Sequence, residues 1–137
     1  MSNSEIRIKN ISETFTGFYL INARLPVYIK YSTSRKGPWV FNFQKAHQEY
    51  QQHLFQQFDE CITAFVCGKD GIAALTHESM RNVLDDAFDH QESVTIRRKH
   101  NEMYRVRGKD GVLEKRVSRS SLADILEHTI NLKKSVL

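Results

Sequence analysis

The spacing of apolar residues changes along this chain of 137 residues, and that change limits the folds it can form. In the first 43 residues, and again from residue 94 to 117, apolar side chains tend to alternate with polar ones, which is the period of a half-buried strand. Between these parts, two stretches repeat their apolar residues every three or four positions, as one face of a helix does. The pattern predicts a domain that contains both strands and helices.

Three strands are predicted in the first third of the chain. Residues 18–21 and 27–31 form two strands of a hairpin, with Pro26 at a strand start, where its missing N–H does no harm. A polar loop over residues 32–38 leads to a third strand, in which Trp39, Phe41 and Phe43 share one face. We expect Trp39 to belong to the core with these phenylalanines, the alternative being an exposed platform for a nucleic-acid base.

The middle of the chain predicts two helices separated by two strands. The first helix has apolar residues every four positions, at Ala46, Tyr50, Leu54 and Phe58. A buried strand over residues 61–67, a Gly-Lys-Asp-Gly turn over 68–71 and a strand over 72–75 follow. Thr76 can cap the second helix. Its apolar stripe consists of Met80, Val83, Leu84, Ala87 and Phe88.

The last third returns to strands and ends in a helix. Strands over residues 94–98 and 103–107 flank a four-residue loop, and a second Gly-Lys-Asp-Gly at 108–111 leads to a strand over 112–117. Ser121 and Asp124 have the spacing of a capping box. The predicted order is βββ-α-ββ-α-βββ-α. It indicates a single α+β domain over residues 1–137, in which about three helices pack on a mixed or mainly antiparallel sheet built from hairpins.

Several classes of protein are disfavoured by the same sequence. The chain has 26% charged and 40% hydrophobic residues, a globular composition, and no apolar run approaches the roughly 20 residues of a membrane span. Its first ten residues lack the apolar region of a secretory signal. Cys61 and Cys67 are too far apart on one straight strand to form a disulfide. We therefore expect a cytoplasmic protein with buried, reduced cysteines and no membrane partner.

No motif in the sequence indicates catalysis. The six histidines form no His-Glu-x-x-His pattern, and no Gly-x-Ser-x-Gly is present. The nearest approach to a metal-ligand cluster is Asp85, Asp86, Asp89 and His90, which is more typical of a solvated helix end. We predict no catalytic residue, no metal and no cofactor, and a protein that is not an enzyme by itself.

The hairpin 18–31, the following helix and the buried strand resemble, in outline and over about fifty residues, the metal-dependent nucleases of the restriction-endonuclease-like class. Such nucleases carry an acidic residue on one strand and Glu-x-Lys on the next. Lys30 lies at the position of that lysine, but Tyr28 occupies the Glu position and residues 16–21 contain no acid. Without two carboxylates nothing holds Mg²⁺. The resemblance implies a divergent or inactive nuclease domain at most, and we do not assign the chain to the class.

The net charge of +4 is distributed unevenly along the chain. Residues 1–43 hold six basic and two acidic side chains, giving +4, and residues 44–93 hold three basic and nine acidic ones, giving −6. Residues 94–137 hold eleven basic and five acidic ones, giving +6. If the two basic parts share one face, that face attracts a polyanion; otherwise these charges solvate exposed strands and pair with the acidic middle.

The basic residues of the predicted hairpin over 94–107 carry our leading hypothesis. Arg105 and Arg107 share a strand face because alternate residues point the same way. We predict an accessory protein that binds nucleic acid, mainly electrostatically, through a basic face. Its contacts are Arg97, Arg98, Lys99, Arg105, Arg107 and Lys109, with Arg35 and Lys36 from the loop before Trp39.

The alternative is a protein–protein interaction module, for example a homodimer. The positive and negative segments of two copies can complement each other, and tyrosine and phenylalanine supply most of the 10% aromatic residues, which often anchor interfaces.

Overall fold

The computed structural model describes residues 6–85, 87 and 91–135, with side chains as far as residue 129. The elements are β1 (Ile8–Asn10), β2 (Phe18–Ile21), β3 (Leu25–Ser32), β4 (Trp39–Phe43), α1 (Lys45–Phe58), β5 (Ile62–Cys67), β6 (Gly71–Leu75), α2 (His77–Val83), β7 (Glu92–Arg97), β8 (Arg105–Gly108), β9 (Gly111–Val112) and α3 (Ser121–Ser135). The predicted α+β class and order of elements are confirmed. Strand β1 is an addition that the sequence analysis did not predict.

The strands form two sheets, where the sequence analysis predicted one. A mixed sheet has the order β1-β2-β3-β5-β6, and an antiparallel sheet has the order β4-β7-β8-β9. Within the mixed sheet β3 and β5 are parallel, and the chain between them passes through β4 and α1. A parallel pair needs such a long crossover, and this one carries β4 out of the mixed sheet and into the antiparallel sheet.

One hydrophobic core lies between the two sheets. The mixed sheet contributes Phe18, Tyr28 and Phe65, and the antiparallel sheet contributes Phe41 and Phe43, with the Phe41 and Phe65 rings 4.9 Å apart at an edge-to-face angle. Helices α1 and α2 add further apolar side chains to this core. A second, smaller cluster lies on the opposite face of the mixed sheet, where α3 covers it with Leu122, Ile125 and Leu126.

Helix α2 is shorter than its apolar stripe predicts. Thr76 caps it as predicted, since its hydroxyl accepts a hydrogen bond from the Ser79 amide at 3.2 Å. The helix ends at Val83 because the turn after β8 packs against its last turn, where the Asp110 amide donates to the Val83 carbonyl at 2.9 Å. Ala87 lies outside the helix, and Phe88 is outside the described residues.

The predicted strand over residues 112–117 is also shorter in the structure. Strand β9 has two residues, and Val117 forms an isolated antiparallel bridge with Tyr104. Both cysteines are buried and unbonded to each other. In the described part of the chain no helix has both the length and the apolarity needed to cross a membrane.

Candidate nucleic-acid interface

Three arginines stand on the outer face of the antiparallel sheet. Arg97 on β7 and Arg105 on β8 are direct cross-strand partners, and Arg107 lies two residues further along β8 on the same face. All three are exposed, whereas Ile96 and Val106 between them are buried on the inner face. The strict alternation of strand side chains produces this separation. We call Arg97, Arg105 and Arg107 the arginine face.

The surroundings of the arginine face are open and weakly polar. Thr95 lies between Val40 of β4 and Arg107, and Val112 of β9 lies beside Arg107 on its other side. Val40 and Val112 are more than half exposed. The described helices pack elsewhere, α1 and α2 in the shared core and α3 on the mixed sheet. Within the described part of the chain, no helix covers the outer face of the antiparallel sheet.

The arrangement of these arginines costs stability. Like charges directly opposite each other on antiparallel strands destabilise the pair by a few tenths of a kcal/mol, up to about 1 kcal/mol. Among the described residues, no carboxylate forms an ion pair with Arg97, Arg105 or Arg107. The described residues therefore offer no packing contact or neutralising charge that would explain why three arginines lie on this face.

Arg98 is not part of the arginine face, contrary to the sequence hypothesis. Its guanidinium donates to both carboxylate oxygens of Asp70, from Nε at 2.8 Å and from Nη2 at 2.7 Å. The hydroxyl of the buried Tyr104 donates to the same carboxylate at 2.8 Å. These hydrogen bonds, that of Arg98 above all, lower the pKa of Asp70 to about 2 despite its burial. Strand alternation turns Arg98 inward, where Asp70 holds it.

Lys99 and Lys109 occupy opposite ends of the antiparallel sheet. Lys99 is exposed directly after β7, close in sequence to Arg97. Lys109 lies in the turn between β8 and β9, and its Nζ is 3.6 Å from Oε1 of the buried Glu92. Carboxylate oxygens of Asp85, Glu92 and Asp110 lie within 4.8 Å of one another at this far end. Lys109 therefore contacts an acidic cluster and does not extend the arginine face.

The acidic residues at this end differ from the cluster that the sequence suggested. Of that suggested cluster, Asp85 is described, and Asp86, Asp89 and His90 are outside the described residues. Within the acidic cluster the Asp110 carboxylate accepts a hydrogen bond from the Asp85 amide at 2.8 Å, which gives that carboxylate a structural role.

Arg35 and Lys36 lie on the loop that joins the two sheets. β4 begins beside the end of β7, since Trp39 pairs with Ile96, so this loop is at the Arg97 end of the antiparallel sheet. The indole nitrogen of Trp39 donates to the Ser34 carbonyl at 3.0 Å, and Trp39 is only 3% exposed. The prediction that Trp39 belongs to the core is confirmed. The alternative, an exposed Trp39 on which a nucleic-acid base stacks, is wrong. Arg35 and Lys36 remain exposed.

Two residues near this loop were missed by the sequence reasoning. Tyr31 at the end of β3 is 73% exposed, and Lys69 is exposed in the turn between β5 and β6. Both line an open groove with Arg35. Strand alternation groups Tyr31 with Val27 and Ile29, a pattern that predicts burial, so only the packing around the strand end reveals its exposure.

Lys30 links the two sheets. Its Nζ donates to the Asn42 carbonyl of β4, lies 3.4 Å from the Tyr28 hydroxyl and stands 4.9 Å above the Phe43 ring. Burial lowers the pKa of this amine. None of the described carboxylates forms an ion pair with Lys30. These contacts give Lys30 a structural role that does not depend on a bound metal.

The chain matches no protein-family model, no curated protein and no solved structure with which it was compared.

Proposed function

We propose that this protein binds nucleic acid through its phosphates, with the arginine face as the main contact surface. The observation that carries the proposal is the direct opposition of Arg97 and Arg105 on an open sheet face, with Arg107 beside them and no ion pair to a described carboxylate. The repulsion between these arginines destabilises the isolated protein. An anionic ligand would replace that repulsion with charge-assisted hydrogen bonds, which favours binding.

The chemistry of arginine favours phosphate as that ligand. A guanidinium presents several N–H donors in a planar fork that matches two phosphate oxygens, and it is easily desolvated. Thr95 is the cross-strand partner of Arg107 on the same face, and a threonine hydroxyl can donate to a phosphate oxygen. Arg35, Lys36 and Lys99 at the adjoining end of the sheet extend the positive surface. The set carries no recognised base-reading signature, so binding should be mainly electrostatic and depend little on sequence.

The charge distribution along the antiparallel sheet also fixes where a polyanion would lie. Arg97 and Arg105 lie at the end of the sheet near Trp39, and Asp85, Glu92 and Asp110 lie at the opposite end. A polyanion is repelled from the acidic end and attracted to the end that Arg35 and Lys36 share. We therefore expect the ligand to contact the Arg97 end of the sheet.

A symmetric homodimer through the arginine face fits these observations less well. In a two-fold interface the same patch meets itself, so the three arginines of one copy would face those of the other. Such a contact would desolvate like charges against each other. The face therefore favours an anionic partner over a second copy of this chain.

The proposal is tested by fluorescence anisotropy with labelled single-stranded and double-stranded oligonucleotides, at about 50 mM and about 200 mM salt. Wild-type protein should bind at low salt and lose affinity steeply as salt rises. The triple variant Arg97→Gln, Arg105→Gln, Arg107→Gln should bind weakly, with a slope of log affinity against log salt smaller by about 2 to 3, because up to three phosphate contacts are lost.

The matched control removes the same charge elsewhere. The triple variant Lys9→Gln, Arg24→Gln, Lys45→Gln changes exposed cations on β1, on the β2–β3 turn and at the start of α1. It should keep most of the wild-type affinity. Equal losses in the two triple variants would mean that total charge, and not the arginine face, governs binding. Absence of wild-type binding at low salt would refute the proposal.

A further inference from the structure

An open groove of about 800 Å³ lies at the ends of the parallel strands β3 and β5. Its floor is formed by Tyr31 and Val66, which are direct partners across the two strands. Arg35 of the β3–β4 loop and Lys69 of the β5–β6 turn stand at its rim. We call this site the Tyr31 groove. It combines an aromatic and aliphatic surface with two cations.

The exposure of Tyr31 follows from unequal strand lengths. β2 pairs with β3 only as far as Tyr28, so the last residues of β3 extend beyond its neighbour. Leu25 and Val27, on the same face as Tyr31, are buried under the cluster that α3 covers. α3 packs near the opposite ends of these strands, against residues such as Leu25 and Ile62. The phenol ring of Tyr31 is therefore exposed beside Val66.

The cations at the rim are held by a well-fixed backbone. The Ser34 carbonyl accepts a hydrogen bond from the Trp39 indole N–H, and the loop packs so closely on Gly68 that an added Cβ there would overlap the Ser34 carbonyl oxygen. The Gly68 amide also donates to the Ser32 carbonyl at 2.9 Å. The backbone of the loop that carries Arg35 is thus fixed against the turn that carries Lys69, before any ligand binds.

We propose that the Tyr31 groove receives a base of single-stranded nucleic acid, stacked on the Tyr31 ring, with Arg35 and Lys69 at the adjacent phosphates. This inference rests on the proposed function and specifies its substrate class. A base has a flat aromatic face joined to an anionic backbone, which matches an exposed ring flanked by cations. The positive rim disfavours cationic and purely apolar occupants.

The position of the groove relative to the arginine face favours a single-stranded ligand over a duplex. Tyr31 lies on the face of the mixed sheet that points away from the antiparallel sheet, and the arginine face lies on the far side of the antiparallel sheet. The loop with Arg35 and Lys36 joins the two sheets at this end. A strand that contacts both sites must bend around the end of the domain. Bending a duplex, whose persistence length is about 50 nm, around that path costs free energy that a flexible single strand does not pay, and the bases of a duplex are already stacked on each other.

The test measures binding of an oligonucleotide of about twelve residues, supplied as single-stranded DNA, as single-stranded RNA and as duplex DNA. Tyr31→Ala should weaken binding of at least one single strand by about five- to a hundredfold and leave duplex binding unchanged. Tyr31→Phe should bind within about twofold of wild type because it retains the ring. The control Ile8→Ala removes another exposed apolar side chain, on the far edge of the same sheet, and should have no effect.

The outcomes separate this inference from the proposed function. Unchanged binding of both single strands by Tyr31→Ala, together with a loss in the variant of the three arginines, would overturn the inference and leave the arginine face in place. An equal loss for single strands and duplex would also overturn it, since stacking is specific to unpaired bases. Absence of wild-type binding to all three probes would overturn both.

Discussion

Replacing Asp70 by asparagine tests how the two sheets are held together. Asp70 lies in the turn between β5 and β6 of the mixed sheet, and Arg98 and Tyr104 flank the loop between β7 and β8 of the antiparallel sheet. Asparagine has nearly the same size but carries no charge. Any change in stability therefore reports the charge-assisted hydrogen bonds and not a loss of packing.

The expected loss follows from the contacts. The carboxylate accepts three hydrogen bonds of 2.7–2.8 Å, two from Arg98 and one from Tyr104. The side chains of Asp70 and Arg98 are 18% and 14% exposed, so water replaces these bonds poorly. Hydrogen bonds to a charged group contribute about 1.5–3 kcal/mol. Asparagine retains one acceptor, and Arg98 also donates to the Glu102 carbonyl at 3.3 Å, so we expect Asp70→Asn to lose about 1.5–3 kcal/mol.

The same contacts predict a pH dependence. Hydrogen bonding from Arg98 lowers the pKa of Asp70 in the folded protein to about 2, from an ordinary value of 3.8. The unfolded state therefore binds the proton first as the pH falls. The stabilisation is fully present above about pH 4 and is lost as the pH falls toward about 2. The difference between wild type and Asp70→Asn should shrink over that range.

Urea denaturation at neutral pH and at several acidic pH values measures both effects. Asp59→Asn is the matched control, because Asp59 is an exposed residue at the end of α1 with a φ of 64°, which asparagine also tolerates. Its free energy of unfolding should stay within about 0.5 kcal/mol of wild type. An equally small change for Asp70→Asn, or a difference that persists undiminished near pH 2, would refute the reasoning.

Two further substitutions test the surface and the groove. Arg105→Thr relieves the like-charge pair with Arg97 and should raise the free energy of unfolding by about 0.2–1 kcal/mol while weakening oligonucleotide binding; a less stable protein in urea denaturation would contradict this. Gly68→Ala should lower the free energy of unfolding by about 1–3 kcal/mol, because φ is +56° and the added Cβ would meet the Ser34 carbonyl. Thermal melting measures that loss, and an unchanged midpoint would show that the loop does not depend on this close approach.

Only the part of the candidate site that depends on strand alternation could be predicted from the sequence. Alternation placed Arg105 and Arg107 on one face, and the structure agrees. The neighbouring basic residues do not all share that face, because Arg98 faces inward and Lys109 lies beside Glu92. The partner of Arg98, Asp70, is 28 positions away in the sequence, and only the packing of the two sheets brings them together.

Most of the strands and helices could be predicted from the sequence, because the local spacing of apolar residues distinguishes the two; β1 is the exception. β2 and β4 have the predicted bounds, and Thr76 caps α2 as its position indicated. The division of the strands into two sheets, the end of α2 and the exposure of individual side chains depend on packing between segments that are distant in sequence. Tyr31 has the strand spacing of a core residue and is exposed because β2 is short and α3 lies elsewhere. Its environment depends on contacts distant in sequence, which no local pattern encodes.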